Sequence, residues 1–473
     1  MTTDAVKPGL TEELAGLAVN WRHPVPAQAR DLAERAVVDT IAVSLAAAND
    51  PTVAALFNGL GAELRGGPSS VWVGGLHGDP RDTALVNGVC AHALDFDDVD
   101  DQMIGHPSAV LVPAVLAAGE ETGASGAKAL DAYWVGLAVS RELASALGMD
   151  SHYRAGWHST GTVGAVAAAA ASARILGLSV AQVRHALGIA GSLAAGSRQN
   201  FGTMTKPLHA GVAASNGILA AKLAGSGFTA DTRQLERPLG YLALHDSAPG
   251  NRRADPDEVA QPSLNVKLHA CCYYIHAAAD AMLELVAAGL QPHCVERIVV
   301  TGPPEGFDAL IHHRPRTGLQ GKFSMEYAMA ACLLDGALGL STFTDASVTR
   351  PEAQRLLAKV ELHTAEVPPL GPADWEWGYA ALNVETAEGE PLSNRVDKPR
   401  GHASRPLAEH ELRRKFDDCL AYGGLRPSDE LYAALRGLRE AESLCDVTRL
   451  VSVLAGQAGA RRPEQVVPGE GAR

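Results

Sequence analysis

From Ala27 to Ala48 the stretch AQARDLAERAVVDTIAVSLAAA places apolar residues three and four apart and gathers its charges on the other face. That spacing predicts an amphipathic helix. Further on, SARILGLSVAQVRHALGIAGSLAAG stops one helix near Gly177 and restarts at Ser179, with Gln182 three residues later as in a capping box. The rhythm of helix, glycine, helix runs from about residue 27 to 245. Between Ala248 and Ser263 the chain turns polar and gains Pro249, Pro256 and Pro262, which reads as a surface connection. After Ile298 the period shortens: RIVVTG (297–302), KVELHTA (359–365) and YAALNVETAEGEPLSNRV (379–396) carry β-branched alternation, the last with a turn at Gly389. An intervening helix is expected to start at Thr349 and Glu352, with Pro351 in its first turn. Helical spacing returns in PLAEHELRRKFDDCLA and SDELYAALRGLREA, before the polar end QAGARRPEQVVPGEGAR. The patterns predict a helical part over 1–263, an α/β unit over 264–400, a second helical part over 401–456 and a disordered tail over 457–473.

Composition narrows what such a chain does. Its 473 residues exceed one ordinary core, and 47% are hydrophobic against 20% charged, with many small residues that let helices pack closely. A net charge of −14 argues against nucleic acid or an anionic membrane as partner, since both call for clustered Lys and Arg. Seven cysteines without a C-x-x-C pair, among them the adjacent Cys271 and Cys272, match neither a zinc site nor a disulfide framework. The segment MTTDAVKPGLTEELAGLAVNW has acids where a signal peptide is basic, and the alanine run near 163–173 meets Arg174 before reaching membrane length. A cytoplasmic protein with no membrane partner is expected.

The chain has no G-x-S-x-G elbow, GLQGKF near Gly321 lacks the spacing of a phosphate-binding loop, and no G-x-G-x-x-G follows a strand. Chemistry must come from less familiar stretches. AHALDFDDVDDQMIGHPSAV (91–110) crowds five aspartates and two histidines without matching a calcium loop. Asp100 and Asp101 read there as a solvated acidic turn, whereas Leu94 and Phe96 flank Asp95 and imply partial burial, where a carboxylate needs a partner; His106 is a candidate for it. In GWHSTGTVG (156–164), Gly156 and Gly161 would let backbone approach a ligand beside His158 and Thr160 at a helix start, although taken alone the stretch fits a structural histidine better. SRQNFGTMTKPLHAG (197–211) brackets Lys206 with Gly202 and Pro207. Pointed inward, that lysine binds a carboxylate or stabilises an enolate-like oxygen; pointed outward, it is surface. NVKLHACCYYIHAAADAM (265–282) adds Lys267, Cys272 and His276; a helix there would put the last two on one face. GKFSMEY supplies Tyr327.

HALDFDD…GHPSA, GWHSTGTVGA, NFGTMTKPLHAG, KLHACCYYIHAAADA and FSMEYAMAACLLDG together resemble the MmgE/PrpD family, in order, across about residues 10 to 455. Members include 2-methylcitrate dehydratases, cis-aconitate decarboxylases and an iminodisuccinate epimerase. The resemblance implies a homodimer, mainly α with an inserted α/β lid, its large helical domain built from both chain ends, and a cleft between the two that works without cofactor. It puts Asp95, His106, His158, Lys206, Lys267 and Tyr327 in the pocket; together with the stretches above, Asp95, His158, Lys206 and Tyr327 are expected to be catalytic and His106, Thr160, Lys267 and Cys272 to bind substrate. Val99, Cys272 and Tyr273 depart from residues usual in parts of the family. The implied function is a lyase acting on a small di- or tricarboxylate by proton transfer beside a carboxylate. Dehydration or hydration of a 2-methylcitrate-like acid comes first, epimerisation of an imino- or aminodicarboxylate second, and cis-aconitate-type decarboxylation third. A non-catalytic carboxylate-binding protein is the reading from another class. With no metal or nucleotide pattern present, neither is expected to be required.

Overall fold

Alanine and glycine decide how the helices of this protein meet. The computed structural model describes residues 8–21, 27–60, 64, 66–245, 264–376, 378–387, 389 and 391–459. Its first part is a layer of helices: α1 (Leu10–Asn20), α2 (Ala27–Ala46), α3 (Pro51–Leu60), α4 (Pro80–Ala93), α5 (Ser108–Thr122), α6 (Gly126–Leu147), α7 (Met149–Arg154), α8 (Ser159–Leu176), α9 (Val180–Leu193) and α10 (Thr205–Gly225). The alanine-rich α8 is buried along almost its whole length. With so little side chain on it, α5, α6, α9 and α10 pack around it on every side. α10 lies against both α8 and α4; a Cβ on its Gly211 would come within 2.2 Å of the Leu85 carbonyl oxygen, and one on Gly217 within 2.3 Å of the Ala168 Cβ.

Local signals set several boundaries. Asp79 caps α4 ahead of Pro80, Ser125 caps α6, and Ser179 with Gln182 forms the expected capping box of α9. The helix expected to start around Thr349 begins at Pro351 instead, because the residue before Pro351 is driven out of the helical region. Arg350 takes φ −58° and ψ 137°, so Thr349 ends the helix Asp345–Thr349 and Pro351 opens the next. No helix joins Cys272 to His276 on one face; a short turn over Tyr273–Ile275 precedes the helix His276–Ala287. The polar connection 248–263 and residues 460–473 lie outside the described residues.

The protein is mainly α with a small mixed sheet, preceded by the short pairs β1 (Ser69–Ser70) with β2 (His77–Gly78) and β3 (Val99–Asp100) with β4 (Leu264–Asn265). In the sheet, β5 (Val295–Gly302) lies between β6 (Val360–Thr364), its parallel neighbour, and β7 (Ala380–Thr386), which is antiparallel and pairs onward with β8 (Leu392–Val396). Ile298 and Val300 of β5 face the helix side, in register with Val360 and Leu362 on β6 and Val384 and Leu382 on β7. The helix His276–Ala287 covers β7 and β8. Beyond the sheet the chain returns: the helix Glu409–Tyr422 packs on α2, and Leu444–Gly459 touches α5 and β1. Among the described residues no single helix is long and apolar enough to cross a membrane.

Close helix approach makes a testable contrast. Gly211→Ala must push the Leu85 backbone and is expected to destabilise the protein by about 1–3 kcal/mol. Among the described residues nothing lies within 4 Å of the place that a methyl added to Gly16 on α1 would take, so Gly16→Ala should be neutral or stabilise by up to ~1 kcal/mol. Urea unfolding of the two variants checks both signs; equal midpoints would refute the packing argument.

Candidate active site

Where α4 ends, the chain turns through Leu94, Asp95 and Phe96. Asp95 takes the left-handed conformation, φ 51°, uncommon for a residue with a Cβ. Each of these three carbonyls receives a buried ammonium group: Lys322 Nζ donates to Leu94 O at 2.6 Å, Lys267 Nζ to Asp95 O at 2.8 Å, and Lys415 Nζ to Phe96 O at 2.8 Å. Lys415 also pairs with Asp39 at 2.6 Å, and Lys322 makes its second bond to Ala270 O at 2.8 Å. With no carboxylate in contact among the described residues, Lys322 is pushed down to about 8 by burial, with Asp95 opposing.

The Asp95 side chain gathers the chemistry. Its Oδ1 accepts from Lys267 Nζ at 2.8 Å and Lys206 Nζ at 3.0 Å, while Oδ2 is buried with no hydrogen-bond partner among the described residues. Burial alone would raise this carboxyl, but Lys206 and then Lys267 outweigh it and hold it well below the usual range. Lys206 also lies 2.8 Å from His92 Nε2. An ammonium only donates, so Nε2 is the acceptor and the His92 proton sits on Nδ1, which donates to Asp97 at 2.9 Å. His106 Nδ1 faces two acceptors, Asp97 Oδ2 at 3.1 Å and Asp98 O at 3.0 Å, so its proton too is on Nδ1. The lone pair is left on Nε2, 3.8 Å from Asp95 Oδ1. His158, the residue before α8, spends no side-chain atom on capping; its Nδ1 meets His209 Nδ1 at 3.0 Å.

Burial lowers His106 to about 3 against the pull of Asp97, and lowers His158 too, with Lys206 adding to the effect. His92 is lowered by the same burial. Asp97 is held low because His92 and His106 outweigh its burial. Lys206 is lowered by burial, whereas at Lys267 Asp95 more than offsets burial and keeps the ammonium charged. Two lysines thus face two carboxylates amid neutral imidazoles.

Asp95, His106, His158 and Lys206 line a cleft of about 530 Å³, whose other wall is the Gly302–Phe307 loop after β5 together with Trp375 and Tyr379. Cys272 and Val99 line it as well; burial raises the Cys272 thiol to about 11, so it is neutral. Lys206 lies over the rings of Phe201 and Phe323, 5.5 and 5.4 Å from their centroids.

Several expectations need correction. Tyr327 does not reach the cleft: in the first turn of the helix Met325–Asp335, it turns its hydroxyl onto Thr342 O at 2.6 Å. Thr160 and Lys267 lie behind the lining, Thr160 Oγ1 accepting from the His106 backbone N–H at 3.1 Å. Neither glycine beside His158 lines the cleft. Gly161 sits against the Ala195 carbonyl, 2.2 Å from an added Cβ, and Gly156 is required by its φ of 96°. Asp100 is no solvated turn: fully buried, it receives Arg141 Nε and Nη2 at 3.0 and 2.8 Å. His92, Asp97 and His209 join the site without having been singled out. A signal existed for the first two in their place beside Asp95, within HALDFD.

His92, Asp95, Asp97 and His106 bring donor atoms within 4.8 Å of one another, a grouping able to hold a cation. Here Lys206 and Lys267 already occupy Asp95 Oδ1, and Lys206 also occupies His92 Nε2. The donor set serves internal ammonium groups, whose charge would oppose a metal ion.

The model of the MmgE/PrpD N-terminal domain matches residues 12–253 and that of the C-terminal domain residues 269–430. Human cis-aconitate decarboxylase is 30% identical over 392 residues, 80% of each chain. The mouse cis-aconitate decarboxylase is 32% identical over 355 residues, 71% of each chain. That of Aspergillus terreus is 27% identical over 445 residues, 87% of this chain and 89% of its own.

The lowered histidines fix how stability depends on pH. Between about 6.5 and 3 the unfolded chain protonates His106 while the folded chain does not, so stability is full above 6.5 and falls as pH drops, by up to ~1.4 kcal/mol per pH unit for this residue. His106→Gln should flatten the slope of unfolding free energy against pH between 6.5 and 4.5. Unchanged slopes in urea titrations would show that His106 is not held neutral.

Proposed function

The chain belongs to the MmgE/PrpD family, and from that premise we propose that this lyase-type enzyme decarboxylates a small carboxylic acid bound against Lys206. The observation that carries the reading is the joint presence in one cleft of a buried lysine, an unpartnered carboxylate oxygen on Asp95, and the neutral imidazoles of His106 and His158. The decarboxylase names of the human, mouse and fungal relatives support the same choice.

In the proposed step the carbon–carbon bond to one carboxylate breaks and carbon dioxide leaves. The electron pair stays on the substrate, spread into an adjacent unsaturated group, and a proton from an imidazolium forms the new carbon–hydrogen bond. Lys206 stabilises the developing charge. Asp95 Oδ2 accepts a hydrogen bond from a hydroxyl or protonated carboxyl of the substrate. His158 acquires its proton on binding: an anion beside Lys206 offsets one of the charges that keep the imidazole neutral.

A second reading follows from the resting state. A neutral His106 with its lone pair on Nε2 is a base, which suits abstraction of a proton beside a carboxylate. Loss of hydroxide would then give 2-methylcitrate-type dehydration, and reprotonation from the other face would give epimerisation. Proton NMR of candidate acids in deuterated water separates the outcomes, since loss of carbon dioxide, alkene formation and simple exchange differ in signal.

His158→Ala is expected to lower turnover by about two to four orders of magnitude while leaving the fold intact. Lys206→Ala should also weaken substrate binding, by removing the charge at the anion site. Near-normal turnover in both folded variants would sink the assignment. Calorimetric binding at neutral pH, repeated in buffers of different ionisation enthalpy, should show proton uptake; proton release would contradict the role given to His158.

A further inference from the structure

The cleft is larger and more apolar than a compact polyacid needs. Its volume of about 530 Å³ falls in the range that encloses drug-sized ligands. Two of its lining aromatics, Tyr274 and Trp375, are each 36% exposed. Trp375 is held in place by its Nε1, which donates to Glu366 O at 2.9 Å, and by an edge contact with Tyr379, ring centroids 5.6 Å apart. Ordered aromatic faces left open to solvent inside a concave site are a surface that a ligand covers.

Charge points the same way. Among the described residues Lys206 is the one Lys or Arg side chain that lines the cleft. Lys206, Lys267 and Lys322 gather here around the two carboxylates of Asp95 and Asp97, a surplus of one positive charge that suits one substrate carboxylate and not several. Elsewhere the lining is acidic: Asp101, Glu305 and Asp397 all contribute to it. The cations near them are engaged outside the lining, Arg154 with Glu305 at 3.0 Å and Arg395 with Asp397 at 2.6 Å. A second or third substrate carboxylate reaching away from Lys206 would meet these acids and aromatic rings instead of a partner.

Resting on the acid-lyase reading above, we infer that the substrate class of this cleft is an acid with a single carboxylate at Lys206 and a ring-sized apolar body lying against Tyr274 and Trp375. A compact tricarboxylate is the disfavoured class. Its recognition is an ion pair at one end and ring stacking at the other, with Asp95 Oδ2 accepting from a donor near the carboxylate.

The test compares calorimetric binding of cinnamate, benzylsuccinate and cis-aconitate, which carry one, two and three carboxylates, to the wild-type protein and to Tyr274→Ala and Trp375→Ala. Both replaced residues are partly exposed, and circular dichroism verifies their fold. Cinnamate should bind at least about tenfold more tightly than cis-aconitate, with benzylsuccinate between them, and each variant should weaken cinnamate more than cis-aconitate. Tighter binding of cis-aconitate, or an equal effect of the variants on both acids, overturns the inference. Lys206→Ala separates this from the broader reading: if cis-aconitate wins and its binding still needs Lys206, the lyase assignment stands and only the substrate class falls. If no acid depends on Lys206, both fall.

Discussion

Three ammonium groups grip three consecutive carbonyls, and the geometry of the cleft depends on that grip. Lys322, Lys267 and Lys415 reach Leu94, Asp95 and Phe96 from three separate parts of the chain. A left-handed aspartate carries strain of order 1–3 kcal/mol and persists where its surroundings over-determine it. Here the carbonyl on each side is tethered as well as its own. The aspartate cannot relax by rotating a peptide plane without stripping a buried lysine of its acceptor, which is costly for a charge out of water. The result is a carboxylate whose Oδ1 is locked between two lysines and whose Oδ2 is left over.

The same arrangement reconciles an acidic protein with an anionic substrate. The net charge of −14 belongs to the molecule as a whole, while the site works through a short-range arrangement in which lysines, carboxylates and neutral imidazoles nearly cancel. In such a place the protonation of an imidazole responds strongly to one added charge. Under the proposed function, substrate binding and proton loading become one event, without a permanently charged acid that would resist burial.

Local patterns were legible in the sequence where the physics is local. The capping box at Ser179 and Gln182 and the alternation in RIVVTG each depend on neighbours a few residues away, and both appear in the structure. Lys206 could be recognised because Gly202 and Pro207 set it apart from the apolar helix that follows. Asp100 could not, since its partner Arg141 is 41 residues distant and the surrounding DDVDD looks solvated. Lys322 sits in GLQGKF, which fails as a phosphate loop and suggests nothing else. Lys415 lies in RRKFDD, where its neighbours on the helix mark an exposed face. Its burial is decided by Asp39 and Phe96, far away in the chain. Tyr327 shows the converse: family resemblance pointed to the cleft, but the turn holding Thr342 lies closer to its hydroxyl.

The span between Phe96 and Lys415, 319 residues, also has a temporal meaning. A chain made from its N-terminus exposes the end of α4 long before the ribosome has translated the lysines that tether the following loop. Lys206 and Lys267 can meet Asp95 first, then Lys322, while the Phe96 carbonyl waits for the helix Glu409–Tyr422. Until that helix docks on α2, the nascent protein holds an incomplete aspartate turn and an open flank beside it. Completion of the active site therefore waits until synthesis has passed residue 415, and a chain stopped before that point lacks the ammonium group that holds the Phe96 carbonyl.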